Sequence, residues 1–342
     1  MLAAVYYGPG DIRTEDREVP RVGREDILIR PSFVGICGSD VEAFNKGGYA
    51  EGTIIGHEFV GIVEAVGSDV TSVRESDYVT ANAVVPCGAC HACRVGRPSL
   101  CEDLAMIGIN TDGALAERIR VPAWTVHKLP LSIEPAHGPL IDPLSNVVHA
   151  VKISAFGPGD AAAVVGAGPI GLLLIDLLKT SGASKVASFE TNPARLALAG
   201  KVGADHLINP AEENPGSMAD ALTDAKGFDV VFVAAGAGKA AEMAYDLVAP
   251  GGDIIVIGLI EDKATADYLR MVLSEISVRG SYLGFNEVPV AIDLLSRGVI
   301  HATAIVTKTT HGIKAAVREA IPSLARPTST DGKVVVAIGG EM

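Results

Sequence analysis

The chain has 342 residues, 48% of them apolar, with a formal net charge of −13. That length holds about two domains, and the apolar share is ample for a core in each. The acidic balance argues against nucleic acid or an anionic membrane surface as partner. The longest apolar run, Ala161 to Ile175, is 15 residues with three glycines and a proline, short of the ~20 a spanning helix needs.

The N-terminus reaches Asp11 too soon for a signal peptide, so a cytoplasmic protein is expected. Residues 1 to 35 alternate apolar and polar positions, with turn signals at Gly8-Pro9-Gly10 and Pro20, and read as strands of a β-rich module. Glu25 to Arg30 and then Phe33-Val34-Gly35 deliver Cys37 at a turn. His57-Glu58 follows 20 positions after Cys37. Thiolate sulfur and imidazole nitrogen are good zinc ligands, a carboxylate can complete the set, and a catalytic zinc keeps one position open. Alone, Cys37 reads as a buried small hydrophobe and His57-Glu58 as a surface pair.

The run Gly56-His57-Glu58-Phe59-Val60-Gly61 with Gly67 beyond it is similar to the signature of zinc-dependent alcohol dehydrogenases. The chain resembles the medium-chain dehydrogenase/reductase superfamily over almost its whole length, in the branch of the sorbitol, threonine and butanediol dehydrogenases. The resemblance implies an α/β protein: a GroES-like mostly-β catalytic domain plus a Rossmann domain with a doubly wound parallel sheet. It implies that Cys37 and His57 bind a catalytic zinc, with Glu58 an additional or alternating ligand. Ser39 stands where relatives place a hydroxyl on the substrate oxygen; otherwise it is a turn serine. Many relatives carry a proton-relaying histidine where this chain has Glu42.

Cys87, Cys90, Cys93 and Cys101 follow in C-x2-C-x2-C-x7-C spacing, four of the five cysteines in one 15-residue window. Four soft ligands from one loop suit a closed, structural tetrahedral zinc site rather than disulfides. A redox dithiol would need only one C-x-x-C, and a zinc-ribbon nucleic-acid module conflicts with the acidic balance. His91 is a competing donor inside the loop; the resemblance selects Cys101. Two zinc ions per chain are therefore expected. Further on, Asp142-Pro143-Leu144 resembles the family's acid-Pro-Leu run, which implies that Asp142 reaches the catalytic zinc directly or through water. Its alternative is a helix N-cap, and His149 is expected to pack within that helix.

From Ala161 the pattern becomes strand and helix in alternation. Strands are expected at Ala161–Val165, Lys185–Glu190, His206–Ile208, Asp229–Val233, Asp253–Ile257 and Val278–Tyr282, a parallel doubly wound sheet with ligand at the carboxyl strand ends. The first strand runs into Gly166-Ala167-Gly168-Pro169-Ile170-Gly171 and then a helix, Ile170 to Leu178. Gly166 allows the tight turn, Gly168 lets a pyrophosphate approach the backbone, and Gly171 lets helix and strand pack closely. Glu190 lies 19 residues past Gly171, near the expected offset of about 20, where a carboxylate accepts from ribose hydroxyls and favours NAD over NADP. The resemblance adds Arg195 near the adenosine, and Ile257-Gly258-Leu259 with Ser281-Tyr282-Leu283 beside the nicotinamide.

The tail reads as helix Val288–Arg297, then Ala302–Val306, a helix near Gly312–Ala320 and a strand Lys333–Ile338. The expected domains are 1–150 catalytic, 151–285 dinucleotide-binding, and 286–342 returning to the catalytic domain. The function implied is NAD-dependent oxidation of a secondary alcohol, diol or short polyol, with zinc as Lewis acid and hydride passing to the nicotinamide. Sorbitol-type relatives have a Tyr at the position of Ala43 and an Arg-Tyr pair at Leu283-Gly284. The loss of those donors points away from sorbitol itself. Rival readings are a threonine 3-dehydrogenase, hinted at by Asn146, an aldose dehydrogenase, and a non-enzymatic dinucleotide-binding regulator. A homo-oligomer, tetramer by resemblance, is expected.

Overall fold

The computed structural model describes residues 1–326 and 328–339. The chain forms two compact units. The first holds Met1–Asp142, Val288–Arg297 and the chain from Val306 on; the second holds Pro143–Glu287 and Gly298–Ile305.

Among the described residues the first unit is built on a seven-stranded sheet. Its order is Val306–His311, Lys333–Ala337, Asp26–Gly35, Glu58–Val66, Tyr78–Ala81 and Val126–Lys128, with Ile119–Pro122 also paired to Asp26–Gly35. The strand Asp26–Gly35 is paired with three others. Its Ile27, Ile29 and Val34 are buried with Phe59, Val79, Val334 and Val336 in one core. The Val-rich strand Lys333–Ala337 is buried at every position, as a β-branched run between two neighbours should be. Its pairing with Val306–His311 is parallel, so the chain needs a crossover. The helical stretch from Ile313 to Leu324, with a π-helical piece at Ala316–Ala320, supplies it.

The second unit carries, among these residues, a six-stranded parallel sheet in the order His206–Ile208, Lys185–Phe189, Ala161–Val165, Phe228–Val233, Val248–Val256, Ser277–Gly280. The strand order reverses next to Ala161–Val165, which is where a doubly wound sheet binds its ligand. Helix Pro169–Thr180 follows that strand and is buried through most of its length. The fifth strand begins at Val248 rather than at Asp253. Ala249-Pro250-Gly251-Gly252 reads as a turn in sequence, but Val248 pairs with Phe228 before a register shift leads to the Val230–Asp253 pair.

The unit boundaries also differ from the sequence expectation. Residues 143–150 lie in the helix Ile141–Ile153, whose body belongs to the second unit. The tail does not return as one piece either. Gly298–Ile305 stays with the second unit, where Asp176 accepts from the backbone N–H of His301 at 2.6 Å and lies 2.9 Å from its ring Nδ1. No helix among the described residues is long and apolar enough to cross a membrane.

Candidate metal centres and dinucleotide site

Cys37 sits at the N-cap of the helix Gly38–Lys46. Asp40, at the third helical position, accepts from the Cys37 N–H at 2.9 Å. A carboxylate in a first helical turn both caps a free donor and complements the helix dipole. His57 precedes the strand Glu58–Val66, and Glu58 is paired in register with Gly35, two residues before Cys37. Strand pairing therefore joins the two sequence motifs. One ligand atom from each of Cys37, His57 and Glu58 lies within 4.8 Å of the others.

The electrostatics of this trio call for a cation. Burial opposes a proton on His57, yet the Cys37 sulfur, then the carboxylates of Asp40 and Asp142, outweigh it and draw the imidazole pKa well above 6.5. A divalent ion answers the same negative field while leaving the imidazole neutral. His57 is buried, and its Nδ1 has no hydrogen-bond partner. The donor set, one thiolate, one imidazole and one carboxylate, suits zinc with an open position.

Sequence reasoning missed Lys333. Its ammonium is buried and donates to Glu58 Oε1 at 2.7 Å, Glu58 Oε2 at 2.6 Å and the Ile36 carbonyl at 3.1 Å. Gly35 makes room for this pair, since a Cβ there would run into Glu58 Oε2. Both carboxylate oxygens of Glu58 are thus held by a cation from the protein itself. The only sequence signal was a lysine opening an otherwise apolar strand.

Asp142 lies in the first turn of the helix Ile141–Ile153 rather than at its N-cap. Burial raises its pKa to about 6, with His57 and Lys333 pulling it down and Glu58 and Asp40 pushing it up. It stands in the electrostatic surroundings of the trio but outside the set whose ligand atoms converge within 4.8 Å. Ser39 is in the first turn of helix Gly38–Lys46, its Oγ 2.8 Å from the Tyr49 hydroxyl. Glu42 is a turn further along and pairs with Lys46 at 3.2 Å on the helix surface.

The ligand atoms of Cys87, Cys90, Cys93 and Cys101 also converge within 4.8 Å, and His91 is not among them. Cys90 Sγ and Cys101 Sγ are 3.9 Å apart, far beyond the ~2.05 Å of a disulfide. Backbone N–H groups of Ala89 and Cys90 point at Cys87 Sγ, and that of Cys87 at Cys101 Sγ. Hydrogen bonds from the Cys93 and Glu102 backbone bring the Cys90 thiol down to about 6, which favours the thiolate a metal needs. Burial, with the neighbouring sulfurs, pushes Cys93 up. Four converging sulfurs, one thiol drawn down and another pushed up, fit a closed zinc site.

In the second unit Gly166 turns the chain with φ +97°, and a Cβ on Gly171 would run into the Gly166 carbonyl oxygen. Gly168 is the N-cap of the helix and has open space where a Cβ would stand, with Pro169 and Ile170 at the first helical positions. That leaves helix N–H groups accessible to a phosphate. Glu190 accepts from Ala167 N at 2.9 Å and Asn192 N at 2.8 Å, so it braces the glycine turn from the end of the second strand. The Nε of Arg195 is buried without a partner. These features fit a dinucleotide.

Ile257 and Gly258 both donate to the Val233 carbonyl, and a Cβ on Gly258 would run into the Ala235 carbonyl oxygen. Ser281 donates to Val256 at 2.8 Å; Leu283 has φ +54°, and Leu259 and Tyr282 are exposed. Asn146, which in sequence hints at a threonine 3-dehydrogenase, is held against the backbone of Gly284. Its Oδ1 accepts from Gly284 N at 2.6 Å, while Ser145 Oγ donates to Gly284 O at 2.9 Å. A Cβ on Gly284 would run into the Ser145 carbonyl oxygen, so this packing leaves no room for a larger residue there. His149 Nδ1 stands 3.5 Å from the buried Glu287 carboxylate.

Residues 23–131 match the alcohol dehydrogenase GroES-like domain family, and residues 169–297 match the zinc-binding dehydrogenase family. The chain is 34% identical over 297 residues to an L-threonine 3-dehydrogenase of Bacillus velezensis, covering 84% of this chain and 86% of that protein. It is 32% identical over 314 residues to a sorbitol dehydrogenase of Bacillus subtilis, covering 90% and 89%. A zinc-binding dehydrogenase from Sinorhizobium meliloti bound to NADP superimposes with a TM-score of 0.90 at 28% identity, covering 98% of each chain. An alcohol dehydrogenase from Escherichia coli CFT073 complexed with NADH gives 0.92 at 28%, covering 99% of each. The chain belongs to the zinc-dependent medium-chain dehydrogenases of the alcohol dehydrogenase superfamily, oxidoreductases that act on alcohols.

Proposed function

We propose that this protein oxidises a secondary alcohol, diol or short polyol to the ketone with NAD, using two zinc ions per chain. The observation that carries the reading is the convergence of Cys37, His57 and Glu58 within 4.8 Å around a buried imidazole. When bound, zinc supplies Lewis acidity at the substrate oxygen and the nicotinamide accepts the hydride. Cys37 and His57 hold the metal. Glu58 is the further ligand, with Lys333 balancing its charge, and Asp142 adds negative charge or joins through water. Ser39 accepts the alcohol proton as it passes its own on through the ribose and water, and Glu42, turned to Lys46 at the surface, has no part in the relay. The second zinc sits on Cys87, Cys90, Cys93 and Cys101 and ties their loop together.

In the second unit Gly166, Gly168, Pro169, Ile170 and Gly171 hold the pyrophosphate. Glu190 takes the ribose hydroxyls and repels a 2′-phosphate, and Arg195 lies at the adenosine. Ile257-Gly258-Leu259 and Ser281-Tyr282-Leu283 line the nicotinamide end. Ala43 and the pinned Leu283-Gly284 turn offer no side-chain donors to a long hydroxylated substrate, which favours a small diol or simple secondary alcohol. A second reading, a threonine 3-dehydrogenase, draws support from the 34% identity to that enzyme of Bacillus velezensis. Tyr268, Leu269, Val272 and Leu273 are each more than 70% exposed beside the edge strand Ser277–Gly280. Such a surface favours a homo-oligomer, a tetramer in our reading, in the cytoplasm. The test is a panel of diols, secondary alcohols, polyols, aldoses and threonine, followed by NADH absorbance. A turnover confined to aldoses, or to none of these, overturns the proposal.

A further inference from the structure

Tyr49 is hydrogen-bonded to Ser39, and the alcohol dehydrogenase reading gives it no task. It follows Gly47 and Gly48, both at positive φ, in the loop after helix Gly38–Lys46. The loop is fixed on both sides of it: before it Gly47 donates to Ala43 O at 3.0 Å, and after it Ala50 donates to Ile109 O at 3.0 Å and Gly52 to Tyr6 O at 2.8 Å. Its ring meets that of Tyr6 edge-on, with centroids 5.8 Å apart. The Tyr6 hydroxyl is in turn bonded to the Ala43 carbonyl of the Ser39 helix. The Tyr49 hydroxyl is therefore delivered by a rigid support.

That hydroxyl stands 2.8 Å from Ser39 Oγ and 3.0 Å from Asp40 Oδ1. Burial, with the negative charge of Asp40 beside it, raises the phenol pKa far above its ordinary value, so it remains a neutral group with one proton to give. Asp40 is buried, and its other oxygen is occupied by the Cys37 N–H. One phenol proton serves Asp40 and Ser39 in turn. While it lies toward Asp40, the phenol oxygen accepts the Ser39 proton. In either arrangement the Ser39 hydroxyl has lost its free rotation, and one of its lone pairs is left for a substrate hydroxyl. The histidine that relatives place at position 42 is absent, and Glu42 is engaged with Lys46.

We propose that Tyr49 is a positioning residue for the alcohol oxidation: anchored on Asp40, it holds the Ser39 hydroxyl in the orientation whose free lone pair accepts the hydrogen bond of the substrate hydroxyl. The inference rests on the reading of Ser39 given above. Preorganising an acceptor of this kind contributes through orientation, so its loss lowers kcat more than it raises KM.

The test is a double-mutant cycle on the full zinc-loaded protein with Tyr49→Phe, Ser39→Ala and the double variant. Phe keeps the ring and its contact with Tyr6. Expected for Tyr49→Phe is a kcat lower by roughly tenfold, KM changed less than about twofold, and zinc content unchanged. In the Ser39→Ala background the same replacement costs nothing further, because residues in one hydrogen-bond network are not additive. Thermal unfolding without substrate gives an independent readout, in which the double variant loses less Tm than the sum of the singles. Additive losses in kcat or in Tm overturn the proposal, as does a loss of zinc in Tyr49→Phe. A Ser39→Ala enzyme with wild-type kcat overturns the reading of Ser39 itself, and is distinguishable because Tm coupling between the two residues would persist.

Discussion

Replacing Lys333 with Met tests the assignment of the buried ion pair. Lys333 and Glu58 have side chains 2% and 1% exposed, and the ammonium makes three hydrogen bonds, two of them to Glu58. Met fits the space of the lysine stem but leaves the buried Glu58 carboxylate without the ammonium that holds both of its oxygens. Removing one partner of a buried pair typically costs about 3–5 kcal/mol, whereas replacing both partners with apolar groups is often close to neutral. For a chain of this size each kcal/mol moves Tm by ~2–4 °C, so Lys333→Met should lose roughly 6–20 °C. Adding Glu58→Gln should restore more than half of it. The assay is thermal unfolding of wild type, the two single variants and the double, with zinc content measured alongside. The pH dependence has a definite sign. Burial works against the charge on Lys333, but Glu58, then Cys37, outweigh it and hold its pKa above the ordinary 10.5. A raised lysine contributes stability that is complete below that ordinary value and lost as pH rises through the folded one. Lys333 therefore keeps its charge through the neutral range, and its contribution is lost only as pH rises through its folded pKa. An unchanged Tm for Lys333→Met refutes the reasoning.

Elemental analysis of undepleted protein should give two zinc ions per chain. Cys90→Ser should retain about one and unfold at lower temperature, while Cys37→Ser should abolish turnover and largely keep the fold; a single zinc in the wild type removes one of the sites. Glu190→Ala should lower kcat/KM with NAD by roughly 10- to 100-fold, the worth of hydrogen bonds to a charged acceptor. NADP should lose less or gain; equal efficiency with both cofactors in the wild type would overturn the role of Glu190. Glu42→Gln should leave kcat within about twofold of wild type across the pH–rate profile, given the surface pairing with Lys46 at 3.2 Å. A large loss at neutral pH together with a vanished pH break would make Glu42 the relay.

The sheet of the second unit was legible because buried parallel strands read as continuous apolar runs. Ala161–Val165 and His206–Ile208 fall on their expected residues. The start of Val248–Val256 was not legible, since a bulged strand carrying Pro250, Gly251 and Gly252 has the local chemistry of a turn. The candidate metal ligands stood out because their spacing is rare and chemically specific. What surrounds them did not. Lys333 is 275 residues from the carboxylate it holds, and nothing in a Lys-Val-Val-Val-Ala strand tells a buried lysine from one at a frayed end. Tyr49 lay in a Gly-Gly-Tyr stretch that reads as loop, and its contacts depend on strand pairings that bring Tyr6 alongside. Asn146 carried a substrate hint in sequence, but its contact with the Gly284 backbone, 138 residues away, could not be read there.

The strand Lys333–Ala337 lies inside its sheet, between Val306–His311 and Asp26–Gly35, and not at the edge. During synthesis the N-terminal strands therefore leave the ribosome long before the partner that completes them. Until Lys333 emerges, the Phe33–Gly35 end of the strand Asp26–Gly35 has an unpaired edge and Glu58 lacks its ammonium partner. Closing that gap joins residues as much as 297 positions apart, a separation that slows folding and lengthens exposure to wrong strand partners. The second unit is largely contiguous and can form its sheet in the meantime. With the two zinc sites proposed above, metal loading at Cys37 and His57 would follow the arrival of Lys333, whereas the four-cysteine ligands lie within one 15-residue window and would converge earlier.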